Sequence, residues 1–223
     1  MKKILALILV LVLSAPAMAA YQSPEAIISD SVSMIREAGS SGDARDIAKT
    51  IKTSHAIALV PSMLKAGFVF GGEYGEGLIL RQENGKWYGP SFYNISGGSF
   101  GFQLGMEQVS LLLAIINEKG VDAFLHSRTK LGGNIGIAVG PTGRQFEAAT
   151  DGRARASIYS YSLTKGLFAG LSLEGGVVSV SVKRNKQYWG DKITGIDALS
   201  KPATDKRVQP LIQALNELLK KAK

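Results

Sequence analysis

The sequence predicts an α+β fold: a curved, mainly antiparallel, glycine-rich sheet or barrel-like core, with flanking N- and C-terminal helices. Three observations predict it. Short runs of β-branched and aromatic residues, separated by turn signals, fill most of residues 57–183, and closely connected strands pair antiparallel. Helical periodicity is concentrated at the two ends of the chain. Glycine, 26 of 223 residues, recurs inside the β-patterned runs at 59–80, 131–144 and 161–176. Glycine weakens an ordinary strand, so its presence there implies bulges, sharp bends or close approach of main chain.

The first element stands apart from the fold. Lys2 and Lys3 precede an apolar run at 4–13, which is short for a bilayer span, and Ala17-Met18-Ala19 supplies small residues for a signal peptidase. Residues 1–19 therefore read as a secretory signal peptide cut after Ala19, and residues 20–223 as one domain. Ser23-Pro24-Glu25 opens a helix as cap, first-turn proline and first-turn acid, and Ile27, Ile28, Val32 and Ile35 give it one apolar face up to Gly39. Asp43 caps a second helix that carries Ile47 and Ile51.

From Ala56 the pattern turns to strand. Residues 57–60 form a strand ended by Pro61; 67–72 and 77–82 flank a turn at Glu73-Tyr74-Gly75. Asn84-Gly85 is a two-residue hairpin signal, because a type I′ turn needs positive φ at both positions. Residues 91–95 and 100–106 flank a turn at Ser96-Gly97-Gly98, and the apolar run 109–116 is a buried strand. Residues 118–126 read as a helix, 133–139 as a strand and 140–155 as an irregular connection. Strands follow at 157–163, 167–173 and 177–183, with a turn at Asn185-Lys186. Thr194 caps a short helix to Leu199. Residues 210–221 form a terminal amphipathic helix with Leu211, Leu215, Leu218 and Leu219 on one face.

Composition excludes several functions. The chain has no cysteine, which removes disulfides, thiolate metal sites, cysteine nucleophiles and a lipid-modified cysteine at the cleavage site. The formal charge of +8 becomes +6 without Lys2 and Lys3, which suits an anionic partner such as a phospholipid surface. No basic run interleaved with aromatics suggests nucleic acid.

The motifs are weak as catalysts. Ser62-Met-Leu-Lys65 and Ser162-Leu-Thr-Lys165 match the Ser-x-x-Lys pattern of a serine hydrolase, but two matches are about what chance supplies, and Lys-Thr-Gly and Ser-Asp-Asn are missing. His55 and His126, the only histidines, lack a spaced partner and read as helix-end groups, so no metal site is expected. The glycines fit neither nucleotide-binding pattern, and no cofactor is expected. Glu73, Glu76 and Glu107 could in principle pair for glycoside chemistry but read as solvated turn residues. Lys65, Lys130, Arg144 and Lys165 lie beside glycine-rich turns, whose exposed N–H groups form anion nests; the plain alternative is a solvated charge.

The strings LVPSMLKAGFVFGG, LGGNIGIAVGPTGR and SYSLTKGLFAGLSLEG, in this order, resemble the SYLF domain family, together with GSFGFQLG at 98–105 and Tyr188-Trp189-Gly190. The likeness covers a core of residues 43–199. It implies a non-catalytic domain that binds lipid; eukaryotic members bind phosphoinositides and actin in endocytosis, and bacterial members are exported envelope proteins. For an exported bacterial chain only the lipid-facing activity carries over. On that basis Lys65, Lys130, Arg144 and Lys165 are expected to meet a phospholipid or phosphoinositide headgroup, with Phe68, Phe70 and Phe168 as apolar contacts, in a periplasmic, soluble or peripherally membrane-associated protein. A structural or protein-interaction module with an envelope protein partner is the alternative, and a Ser-Lys hydrolase the third. One departure matters: the helix at 24–38, which corresponds to a basic membrane-binding segment in some members, is net acidic here. The tail, with Lys201, Lys206, Arg207, Lys220, Lys221 and Lys223, is the better cationic segment unless its helix simply packs its leucines on the sheet.

Overall fold

The computed structural model describes residues 21–67, 70–100, 105–126, 128–132, 135–141, 156–163, 173, 175–190 and 193–222. It is the expected α+β architecture: a curled eight-stranded sheet with helices from both ends of the chain. The helices are α1 (Pro24–Ser40), α2 (Ala44–Lys52), α3 (Glu118–Asp122), α4 (Val182–Trp189), α5 (Gly195–Ser200) and α6 (Gln209–Leu219). The strands are β1 (Ala56–Gly67), β2 (Phe70–Glu83), β3 (Lys86–Phe100), β4 (Gly105–Ile115), β5 (Thr129–Lys130), β6 (Ile137–Val139), β7 (Ile158–Ser162) and β8 (Val177–Val180). They lie in the order β5-β8-β3-β2-β1-β4-β7-β6, and every neighbouring pair is antiparallel except β6 with β7.

Both faces of the sheet are buried, which explains why its central strands read as continuous apolar runs. Strand alternation sends Ile57, Leu59, Leu78, Leu80, Phe92 and Leu112 toward the helices. The intervening Ala58, Val60, Ile79, Tyr93, Leu111 and Leu113 form the other core, where Tyr93 meets Phe124 edge-on at 4.9 Å between ring centroids. In the helical layer Ser23 caps α1 by accepting the Ala26 N–H at 3.2 Å. Asp43 precedes α2 as expected, yet its side chain makes no capping bond. Helix α6 buries Leu211, Leu215 and Leu218 beside α1 and α2, in the core cluster that the helices share with the sheet, so the tail packs its leucines inward.

Several expected breaks are not breaks. Strand β1 runs straight through Pro61, because its register slips between Leu59 and Ser62 against β2 and between Val60 and Met63 against β4. Proline lacks an N–H, and a bulge is where a strand tolerates that loss. The expected turns at Glu73-Tyr74-Gly75 and Ser96-Gly97-Gly98 are interior parts of β2 and β3, which pair continuously there. Their glycines make room instead of turning the chain. A Cβ at Gly77 would run into the Leu59 carbonyl oxygen at the bulge, and one at Gly75 would lie 2.6 Å from a Val60 methyl. The Asn84-Gly85 hairpin is as expected, with φ of 51° and 74°. Helix α3 is shorter than the expected 118–126 and is followed by a turn. The expected strand at 167–173, apart from the buried Leu173, and most of the 140–155 connection lie outside the described residues.

The largest correction falls at 177–189. Strand β8 stops at Val180, and the expected turn at Asn185-Lys186 is the middle of α4, with Ser181 as its N-cap. Alternation in VVSVSV signals strand, but Asn185 decides the outcome. Its side chain accepts the Phe92 N–H at 2.8 Å and donates to the Phe92 carbonyl at 3.2 Å. A buried amide thus completes the edge of β3 where β8 ends. Asn185→Ala leaves the buried Phe92 N–H without a partner, while the Phe92 carbonyl keeps the Ser181 N–H at 2.8 Å, and should cost about 1–3 kcal/mol by urea unfolding.

Candidate functional site

The acids of β2 face opposite ways. Glu76 points to the helices and Glu73 to the concave core, and both are buried rather than solvated. Glu76 forms an ion pair with Arg184 of α4, which is only 2 % exposed. Both groups make further bonds. Glu76 accepts the Gln22 N–H at 3.0 Å and the Tyr74 hydroxyl at 2.9 Å. Arg184 donates to the Gln22 carbonyl at 2.9 Å, to Asn94 at 2.8 Å and to Ser181 at 3.1 Å. Burial, and then the Glu76 carboxylate, push the Tyr74 phenol up. The pair therefore holds both main-chain polar groups of Gln22 and fixes where the chain enters the fold.

The outer side of this node carries cations and apolar groups. Tyr21 lies under Lys183, whose Nζ is 3.8 Å from the ring centroid, with the Arg184 guanidinium at 4.5 Å, and its hydroxyl donates to Gln187 at 2.7 Å. Val182 and Lys183 are exposed on α4, as is Lys186, and Ile196 is exposed on α5. Thr194 and Asp197 close α5 with a reciprocal capping box, which holds the Asp197 carboxyl below its usual range.

On the concave face Glu73, Lys65 and Glu107 occupy one row across β2, β1 and β4. Lys65 Nζ is 3.4 Å from Glu73, and a Cβ at Gly97 would lie 2.5 Å from the same carboxylate, so that glycine makes space for it. Glu73 and Glu107 thus have a lysine between them, and Glu76 is on the other face. The three acids do not converge on a substrate.

Of the expected headgroup residues, Lys65 and Lys130 are described, and Phe70 is placed in β2 opposite Phe100. Phe68, Arg144, Lys165 and Phe168 lie outside the described residues. Lys65 is engaged by Glu73, whereas Lys130 is exposed on β5. Both sit toward one end of the sheet but four strands apart, so the fold does not bring them together. Ser62 and Ser162 lie on strands, not at helix starts. His55 bonds Glu118 at 2.8 Å in an exposed pair. Among the described residues no cluster of His, Asp and Glu could hold a metal, and no helix is long and apolar enough to cross a membrane.

Other cations gather on α2. A cleft of about 390 Å³ is lined by Lys49 and Lys52 of α2 with Thr53, Ile116, Pro141 and Tyr159, and the turn bearing Lys220 and Lys221 packs on α2. Arg207, by contrast, is used internally. It stacks 3.8 Å from the Tyr188 ring centroid, and its hydrogen bonds hold the Asp205 carboxyl at about 2.

Sequence reasoning missed Arg184, Lys183 and Lys186 as site residues because it placed them on a strand and turn. The helical spacing of Arg184, Asn185 and Tyr188, which share the buried face of α4, was the available signal.

Comparison with known proteins converges on one family. The family described as "Ysc84: Las17-binding protein actin regulator" matches residues 96–218. The chain is 33 % identical over 176 residues to the SH3 domain-containing YSC84-like protein 1 of Bos taurus, covering 76 % of this chain and 51 % of that protein. It is 34 % identical over 174 residues to the protein YSC84 of Saccharomyces cerevisiae, covering 74 % and 36 %, and 35 % identical over 154 residues to the LAS seventeen-binding protein 3 of the same yeast, covering 67 % and 33 %. The chain spans about half the length of these relatives or less. With more than half of its residues matched in sequence and its glycines crowded into a curled sheet, the chain belongs to the Ysc84 family, the SYLF-domain family its glycine-rich strings resemble.

Proposed function

We propose that this protein binds anionic phospholipid or phosphoinositide-type headgroups without catalysis, as an exported, periplasmic envelope protein. The observation that carries the reading is the cationic surplus left on the exterior. The two buried acids each take a cation inside, Glu73 with Lys65 and Glu76 with Arg184, so the net charge of +6 without Lys2 and Lys3 falls on the remainder of the chain, where Lys52, Lys86, Lys130, Lys183, Lys186, Lys220 and Lys221 are exposed. A cationic exterior attracts anionic bilayers by about 1 kcal/mol per cation near the surface. Lys130 and the engaged Lys65 remain candidate headgroup contacts, with Arg144, Lys165, Phe68, Phe70 and Phe168 beside them in the sequence pattern.

Co-sedimentation with vesicles tests this. The protein should pellet with phosphatidylcholine–phosphatidylglycerol vesicles and stay in solution with phosphatidylcholine alone; equal, negligible pelleting with both would remove the proposal. A protein partner is the second reading, favoured by the family description and by the LAS seventeen-binding relative. It predicts saturable binding to one purified protein and no difference between the two vesicle types.

A further inference from the structure

We propose that the surface formed by Tyr21, Val182, Lys183, Ile196 and Asp197 binds a second copy of this chain in a two-fold dimer. This goes beyond the lipid reading and does not depend on it. Apolar exposure marks the surface. Among the described residues four large hydrophobic side chains are exposed, and three are here: Val182 at 70 %, Ile196 at 54 % and Tyr21 at 43 %. Isolated exposed hydrophobics are ordinary, but a contiguous group marks an interaction surface. The three are neighbours. Helices α4 and α5 touch, and a Cβ at Gly195 would lie 3.3 Å from both Val180 methyls, just ahead of Val182. The Tyr21 ring lies under Lys183, and its hydroxyl reaches Gln187.

Charge selects the occupant. Exposed Lys183 follows Val182, and exposed Asp197 follows Ile196, so the two apolar tips carry neighbours of opposite sign. Asp197 stays ionised, since its capping box holds the carboxyl below the usual range. Asp30, exposed on α1, accepts the Gln22 side-chain amide at 3.0 Å and adds a second acid beside Tyr21. A face with both signs is matched neither to a uniformly anionic surface nor to a cationic one, but it complements itself. In a two-fold interface, residue i of one copy meets j of the other, and j meets i. About such an axis Val182 and Lys183 of one copy meet Ile196 and Asp197 of the second, apolar group on apolar group and ammonium on carboxylate. Net charge disfavours other modes of self-association: the chain carries +6 without Lys2 and Lys3, and cationic faces repel their own copies. The surface is also held in place before contact. The Glu76–Arg184 pair, the Tyr21 stack and the capping box fix its parts, which lowers the ordering cost of docking.

Sedimentation velocity over a concentration series tests this. Three exposed side chains make a small interface, so the dimer should be weak, with a dissociation constant on the order of 10 µM. Val182→Glu/Ile196→Glu should raise that constant by roughly thirtyfold or more, and both sites are exposed, so the variant should fold. Val139→Glu, at the fourth exposed hydrophobic, lies on β6 and should leave dimerisation unchanged. The absence of cysteine gives a second readout, since introduced thiols report without background. Under mild oxidation a mixture of Val182→Cys and Ile196→Cys proteins should form a cross-linked dimer faster than either protein alone, and Val139→Cys protein should not. Protein that is monomeric throughout the series, or a dimer that Val182→Glu/Ile196→Glu leaves intact, overturns the proposal. So does a monomer whose Ile196→Cys thiol is shielded only when vesicles are added, which would give this face to lipid.

Discussion

Arg184→Met should lower stability by about 3–5 kcal/mol, because it strands the Glu76 carboxylate in a buried site. The loss goes beyond one ion pair. Arg184 also supplies the donors that meet the Gln22 carbonyl and Asn94, so three elements, the entry segment, β3 and α4, lose a common partner. Glu76→Gln is the gentler companion. It keeps an acceptor for the Gln22 N–H but leaves the guanidinium buried without a counter-charge. Urea unfolding of both variants reads the effect as a lower midpoint. A drop of less than about 1 kcal/mol for Arg184→Met would mean the pair is solvated, as surface pairs are.

Gly77→Ala is the second large effect, expected to exceed about 3 kcal/mol and to leave little folded protein, since overpacking against immovable main chain has no cheap relief. The added methyl would meet the Leu59 carbonyl oxygen and the Tyr93 ring at once, at the bulge that lets β1 pass through Pro61. Gly72→Ala is the control within the same strand. Nothing lies within 4 Å of its Cβ position, so alanine there should change stability by no more than about 0.5 kcal/mol. Circular dichroism with thermal melting of the two variants separates a glycine needed for space from one that is not.

The contrast between these glycines shows what the sequence could reveal. That glycines within β-patterned runs mean close approach was legible, and Gly75, Gly77 and Gly97 meet that expectation. Which of them bend the chain was not, because a turn and a crowded strand interior use the same residue. Hence two long strands were divided at Glu73-Tyr74-Gly75 and Ser96-Gly97-Gly98. The caps at Ser23 and Thr194 and the Asn84-Gly85 hairpin were legible because each is a local device, complete within four residues. The Glu76–Arg184 node was not. Its members are 108 positions apart, and only the pairing of strands and the docking of α4 bring them together. Buried Glu73 and Glu76 looked like solvated turn acids for the same reason: their partners are tertiary. The terminal helix showed its leucine face plainly, but not that α1 and α2 would cover it.

The proposed attraction of a cationic exterior to anionic membranes is read by the vesicle partition coefficient, recorded as phosphatidylglycerol replaces phosphatidylcholine at low and at high salt. It should rise steeply with anionic content, and salt should suppress the rise, since screening shortens the reach of surface charge. A partition coefficient indifferent to both lipid charge and salt would contradict it.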